Sequence, residues 1–401
     1  MKYFYLPFLF IYLQAYSQQE IRGTVFNGDD NSKLISASVF IDNSSKGTMT
    51  DVDGKFIIAG LTESNFELVV SYTGFTTVSI RITPQNINQL HTIRLFPRKR
   101  ALEEIYIMAP EKDGWKNWGA LFKEQFIGVS RFAAKCSIKN PEVILFFRNK
   151  KTSALHAYSK AAIIIENKEL GYNIKYNLEN FIYDPKNGVV FTEGYNTFED
   201  LGIKNKNRIK TIVKNRQEAY KGSILHFMRA LYRDIVNDQG FDVREQIRVK
   251  AEDSIFNQIY KPSNMPKFVK FEDKVYAIKS GNVSILKKIP TYIDLIDTTV
   301  FSFKKATSLD SDKKQKTLYF QNYLAIIYKK GFEKPDYLRF KALSPGSRIH
   351  QRSEIILLSD EPVVIKENGL YFNPLNLLLS GYMAWHKLAE ALPSDYIDKK
   401  Q

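Results

Sequence analysis

The stretch IRGTVFNGDDNSKLISASVFIDNSSKGTMTDVDGKFIIAGL (21–61) decides the fold of the front of the chain. Ile21, Gly23 and Val25 share one strand face, and Asn27-Gly28-Asp29-Asp30 turns the chain after it. Ala37, Val39 and Ile41 alternate with Ser36, Ser38 and Phe40, the two-residue period of a half-buried strand. Asp53-Gly54 stands between the runs 48–52 and 55–58; this dipeptide favours positive φ and predicts a hairpin there. Leu68, Val70 and Tyr72 form another face, followed by Val78, Ile80 and Ile82, and then by Ile93 and Leu95. About seven short strands with regular turns predict a small β-sandwich.

The same residues resemble the carboxypeptidase-like regulatory domain. Gly23, Val25, Ala37-Ser38-Val39, Gly47-Thr48, Thr50-Asp51, Asp53-Gly54-Lys55-Phe56, Ser71-Tyr72 and Gly74-Phe75 carry the likeness. The resemblance implies a non-catalytic, prealbumin-like β-sandwich over 18–108. Such domains stand at the front of envelope proteins in Bacteroidetes-type bacteria. Residues 111–401 resemble the uncharacterised remainder of such proteins, through GWKNWGALFKEQFIG (114–128), RQEAYKGSILHFMRALY (216–232) and ENGLYFNPLNLLLSGYMAWHKLAEALPSDY (367–396). That second likeness brings no activity with it.

The amino terminus reads as an export signal over 1–17. Lys2 supplies the positive start, 3–13 is uncharged and mostly apolar, and Ala15-Tyr16-Ser17 places small residues before a cleavage point at Gln18. The apolar run is too short for a bilayer-spanning helix, which needs about 20 residues. No later segment of that length lacks charges, so we expect no transmembrane helix in the mature chain. The expected location is the periplasm or the outer-membrane surface.

Composition narrows the class. Of 401 residues, 44% are hydrophobic and 25% charged, which excludes a disordered or collagenous chain because a core can be buried. Aromatics reach 13%, chiefly Phe and Tyr, and favour pleated surfaces. Cys136 is the only cysteine, which excludes internal disulfides and multi-cysteine zinc or iron–sulfur sites; it is expected to be buried as a small hydrophobe. A net charge of +15 points to acidic partners. Export argues against nucleic acid among them and leaves an envelope protein, a glycan or an anionic membrane surface.

Beyond a boundary near 109 the pattern changes to longer strands with a few helices. Helices are expected near 113–127, 218–237 and 379–392. Strands are expected at 142–148, 154–159, 162–166, 173–178 and 189–192, with Asp184-Pro185-Lys186-Asn187-Gly188 as a turn, and further strands through 276, 283, 292, 318–328 and 354–358. AIIIENKELGYNIKY (162–176) and PVVIKENGLYFNP (362–374) echo one another as apolar strands followed by turns. The expected class is mainly β with some α: a prealbumin-like sandwich, then a larger antiparallel β-rich α+β module over 109–401.

Catalytic signatures are scarce. The five histidines, His91, His156, His226, His350 and His386, include no H-E-x-x-H, and none has Glu three positions on, as a carboxypeptidase zinc motif requires. His386 with Glu390, and His350 with Glu354, are four apart and read as salt links. No G-x-S-x-G elbow occurs, and Ser223 after Gly222 reads as a helix N-cap. Asp51 and Asp53 begin a calcium-loop pattern without its remaining ligands, so a plain turn explains them better. Trp115 and Trp118 share a helix face with Leu121 and Phe122, which favours packing over sugar stacking, and Trp385 lies near the end of the chain. No catalytic, cofactor or metal residue is assigned.

The densest charge feature is Lys204, Lys206, Arg208, Lys210, Lys214, Arg216 and Lys221, interleaved with Ile209, Ile212 and Val213. It is the candidate contact patch for lipid phosphates or an acidic partner, against the plainer reading of a solvated face. The sequence therefore favours an exported, non-catalytic binding or scaffolding protein of the cell envelope. The alternative is a hydrolase of peptides or cell-wall glycans with an unrecognised site in 111–401.

Overall fold

The computed structural model describes residues 19–63, 65–98, 110–149, 151–186, 188–250, 267–271, 274–279, 282–286, 292–311, 314–372 and 374–398. The expected export signal (1–17) and the expected boundary near 109 lie outside them. The chain divides into two compact units, the first comprising 1–120, 138–166 and 172–201, the second 121–137, 167–171 and 202–401.

In the first unit, β1 (Gln19–Asn27), β2 (Ser38–Ile41), β3 (Gly47–Met49), β4 (Lys55–Leu61), β5 (Phe66–Ser71), β6 (Val78–Ile82) and β7 (Leu90–Leu95) form the expected sandwich. One sheet has the order β4-β1-β7 and the other β3-β2-β5-β6. β1 runs parallel to β7 and antiparallel to β4. The alternating residues Ile21, Val25, Ala37, Val39, Phe56, Ile58, Leu68, Val70, Ile82, Ile93 and Leu95 meet in one buried core, which is why the two-residue period was visible.

The expected hairpin at Asp53-Gly54 needs correction. A turn is there: Gly54 has φ +69°, and its amide donates to the Asp51 carbonyl at 3.0 Å. Asp51 Oδ1 accepts from the amides of Asp53 (2.9 Å) and Lys55 (2.8 Å). The flanking strands, however, pair with different neighbours, β3 with β2 and β4 with β1. The turn passes the chain from one sheet to the other, and Phe56 and Ile58 of β4 enter the core that the two sheets share.

The same unit continues past the sandwich. Strands β8 (Cys136–Ile138, of which Ile138 alone falls in this unit), β9 (Ile144–Arg148), β10 (Leu155–Ser159), β11 (Ile163–Asn167), β12 (Tyr172–Asp184) and β13 (Val189–Asp200) form a sheet ordered β8-β11-β12-β10-β9, with β13 along β12. Asp184 pairs with Val189 at the end of the β12–β13 hairpin, on either side of the expected turn. Polar bonds join this sheet to the sandwich. The Asn43 amide donates to the Asn196 carbonyl (2.8 Å), Thr197 Oγ1 donates to the Ser44 carbonyl (2.9 Å), and Arg98 pairs with Glu179 (3.1 Å). Helix α1 (Gly114–Phe122) runs into a π-helical turn, Lys123–Ile127, matching the expected 113–127.

In the second unit, β14 (Phe241–Lys250), β15 (Lys267–Phe271), β16 (Lys274–Lys279), β17 (Asn282–Leu286), β18 (Tyr292–Ile296), β19 (Thr307–Asp310), β20 (Gln315–Leu318), β21 (Tyr323–Phe332), β22 (His350–Leu357), β23 (Val363–Lys366), β24 (Tyr371–Phe372) and β25 (Leu377–Gly381) make three sheets. Their orders are β18-β14-β21-β22-β25, β19-β20-β23-β24 and β15-β16-β17, with antiparallel pairing throughout. The echoed segments fold alike in one respect: β11 leads to β12, and β23 to β24, through turns with a left-handed glycine, Gly171 and Gly369.

Two helix expectations are corrected here. The run 218–237 is the end of one helix, α2 (Lys206–Tyr220), followed by a second, α3 (Ile224–Tyr232). Gly222 breaks them at φ +80°, and Ser223 caps α3 by accepting from the His226 amide, as its position predicts. Phe227, Met228 and Leu231 of α3 enter a core with Phe241, Val243, Leu324, Ile326 and Ile355. The run 379–392 is not one helix. Leu377–Gly381 pairs with β22, and only Tyr382–Trp385 and a 3-10 turn at Leu388–Glu390 coil. A free strand edge outweighs the helix propensity of leucines there.

Candidate functional site

Asn205 caps α2 by accepting from the Arg208 amide at 3.0 Å, so the basic run lies on a helix rather than a loop. The helix then sorts the run by face. Arg208 pairs with Glu169 at 3.1 Å and reaches the Lys168 carbonyl. Arg216 donates to the carbonyls of Leu170 (2.7 Å) and Gly171 (3.3 Å), and Asn215 donates to the Glu169 side chain at 2.8 Å. Ile212 is buried on the same side, close to Gly171. These residues hold α2 to the 167–171 loop. Lys204, Lys206, Lys210, Lys214 and Lys221 are exposed, and none forms an ion pair among the described residues. The sequence patch is thus part anchor and part open surface, a division that charge counting alone does not make.

A second constellation was not assigned from sequence. A small cleft is lined by Ser130, Arg131, Glu218, Lys334, Asp336, Tyr382, Trp385, His386 and Glu390. Its charges answer one another. Glu218 accepts from Arg131 (2.7 Å) and Lys334 (2.6 Å), which together hold its carboxyl below the usual range despite burial. Asp336 accepts the Arg131 amide at 2.9 Å. His386 Nε2 lies 2.9 Å from Glu390 Oε2, with side chains 10% and 4% exposed, so the two residues four apart do meet, but inside the protein rather than at its surface. Trp385 Nε1 and His386 Nδ1 are buried without a hydrogen-bond partner. The free space is about 10 Å³, close to a single water, which would satisfy one or two of them.

The other singled-out residues take structural positions. His226 accepts from the Gly222 amide through Nδ1 (3.2 Å) and meets Gln239 through Nε2 (3.0 Å), an arrangement that needs the neutral ring. Burial pushes its pKa down to about 4. His350 stacks on Phe332, while Glu354 pairs with Arg248 and Arg352 rather than with His350. Cys136 is 7% exposed, and burial, then the Glu390 carboxylate, push its thiol up to about 12. Asp53 pairs with Lys33 and Lys55. Trp385 packs on Tyr337 with ring centroids 5.2 Å apart.

Trp115 is only half buried. It leans on Phe146 at one wall of a shallow groove of about 400 Å³, together with Glu111, Asp113, Lys116 and Glu142. Trp118 lies under the Arg148 guanidinium at 5.4 Å. Among the described residues, no group of three or more His, Cys, Asp or Glu is placed to hold a metal ion, and no helix is long and apolar enough to cross a membrane.

Residues 21–107 match the family model of the CarboxypepD_reg-like domain, in agreement with the sandwich. No curated protein matches the chain. Among solved structures, a 9R-lipoxygenase from Cyanothece aligns at 10% identity and a TM-score of 0.14, covering 54% of this chain and 48% of that one. The chain thus spans about half the length of that enzyme, and a similarity so low carries no argument about fold or activity.

Proposed function

We propose that the protein is an exported, non-catalytic binding or scaffolding component of a bacterial cell envelope. The observation that carries this reading is the state of the His386 cleft. The constellation most like a catalytic one has its carboxylates engaged by Arg131, Lys334 and His386, and leaves room for about one water. A peptide or glycan substrate needs a site of at least about 300 Å³, far more than this cleft offers; the groove of about 400 Å³ beside Trp115 reaches that volume but is shallow and open. The regulatory-type domain at 21–107 and the leader-like start support the same reading, and the unpaired lysines of α2 offer a contact surface.

The hydrolase reading has one observation in its favour, the unpartnered Nδ1 of His386 beside Glu390. One experiment separates the two. The tagged full-length mature chain is captured from gently solubilised envelopes, and the same preparation is assayed on peptides and peptidoglycan. A reproducible envelope partner without turnover supports binding. Turnover that His386→Gln abolishes in a protein of unchanged circular dichroism overturns it in favour of the hydrolase.

A further inference from the structure

The sorting of charge on α2 goes further than a basic patch. Successive residues of a helix are offset by about 100°, so Lys206, Ile209, Lys210, Val213 and Lys214 fall within about 140° of arc along about 12 Å of axis. All five are exposed, Ile209 at 41% and Val213 at 46%. Three lysines with no carboxylate partner therefore flank two uncovered β-branched side chains. Lys204 adds a charge at the amino end of the helix and Lys221 one at its carboxyl end.

We infer that this face of α2 seats on an anionic lipid surface, with the lysine ammoniums among the headgroup phosphates and Ile209 and Val213 entering the boundary beneath them. The inference rests on the envelope-binding reading and names the surface bound. Charge complementarity selects the occupant. Arginine presents a rigid planar fork suited to bidentate pairing with a defined carboxylate, whereas lysine is a flexible point charge suited to a diffuse field of phosphates. Both arginines of the run are turned inward onto the 167–171 loop, and only lysines face out. The opposite face is fixed by Ile212, Asn215 and Arg216, so the helix meets a flat surface without having to unpack. A basic helix face with aliphatic side chains between its charges lies in the plane of an interface rather than across it.

The test is flotation of the full-length mature protein with vesicles of phosphatidylcholine alone and of phosphatidylcholine mixed with phosphatidylglycerol, at low and at physiological salt. Binding is expected to the mixed vesicles only, weakened by salt. The triple variant Lys206→Gln, Lys210→Gln, Lys214→Gln is expected to bind on the order of a hundredfold more weakly. A control with the same change of net charge, Lys151→Gln, Lys186→Gln, Lys314→Gln, is expected to retain most of the binding. Ile209→Ser with Val213→Ser is expected to weaken binding while leaving its salt dependence unchanged. Equal losses in the two triple variants overturn the assignment to α2. Absence of vesicle binding by the unmodified chain overturns the lipid inference, and leaves the envelope-binding reading to stand or fall on partner capture.

Discussion

Arg216 Nε donates to the Leu170 carbonyl at 2.7 Å, so a residue that counts in the sequence as part of a basic patch is spent on the protein's own backbone. Its neighbour on the outer face, Lys210, touches nothing comparable. Arg216→Ala removes a charged donor from two carbonyls and is expected to cost about 2 kcal/mol. Lys210→Ala is expected to stay within about 0.5 kcal/mol. Urea unfolding of the two variants measures the difference, and equal costs would contradict the division of the helix into anchor and open face.

Arg229 makes a similar case inside the second unit. It is buried and donates to the carbonyls of Asn368 (2.8 Å), Ser394 (2.8 Å) and Tyr396 (2.9 Å), tying the end of the chain to α3. Arg229→Met is expected to release that segment. Limited proteolysis should then cut near 394–396 in the variant well before the unmodified protein is touched.

The turn at Asp51–Gly54 joins the two sheets of the sandwich, so damage there is felt in both. Gly54 has φ +69°, and an added Cβ would lie 2.8 Å from the Val25 carbonyl. Gly54→Ala is expected to destabilise by about 1–3 kcal/mol, and Asp51→Ala by about 1 kcal/mol through the loss of an acceptor for two amides. A shift of the thermal midpoint of either variant by less than a degree would contradict this account of the turn.

Two groups, the buried His226 and the half-buried Asp42, pull stability in opposite directions with pH. His226 is held at about 4 in the folded protein against 6.5 unfolded, so between those values the unfolded chain binds a proton that the folded one excludes. Stability is lost as pH falls through that window, by about 3 kcal/mol in full. Asp42 is raised from 3.8 to about 6, chiefly by burial, so its folded form holds the extra proton, and stability is lost as pH rises from about 4 to 6. His226→Gln should flatten the acid side of the stability profile, and Asp42→Asn the opposing slope. Denaturant midpoints measured between pH 4 and 7 on the single variants check both signs.

Cys136 offers a chemical readout of folding. With its thiol pushed up to about 12, the reactive thiolate is a roughly ten-thousandfold minority at pH 8. Alkylation by iodoacetamide is expected to follow the unfolded fraction along a denaturant series. Rapid modification of the native protein would contradict the burial.

The sandwich was legible because its strands are amphipathic and short: Ile21, Val25, Val39 and Ile58 mark its core at a period that only a half-buried strand produces. What was not legible depends on pairing. Asp53-Gly54 announces a turn, but nothing local says that β4 joins β1 rather than β3. Leu377–Gly381 has a composition compatible with a helix, and only the open edge of β22 makes it a strand. The His386 cleft draws on residues from 130 to 390, a separation that no spacing rule spans. The basic run was found at once, yet its two roles appear only when Arg216 is seen to face the 167–171 loop.

Synthesis delivers β1 first, and both of its flanking strands arrive later. Arg22 sits opposite Leu90, about seventy residues further on, and the loop at Asn43 and Ser44 is held by Asn196 and Thr197, further still. A chain halted before residue 95 has a central strand with one side bare, and the cost of closing so long a loop must be met before the pairing returns anything. Within the sandwich, then, β1 has one edge unpaired until β7 has emerged, and until then that edge is open for a chaperone to shield or for another nascent chain to find.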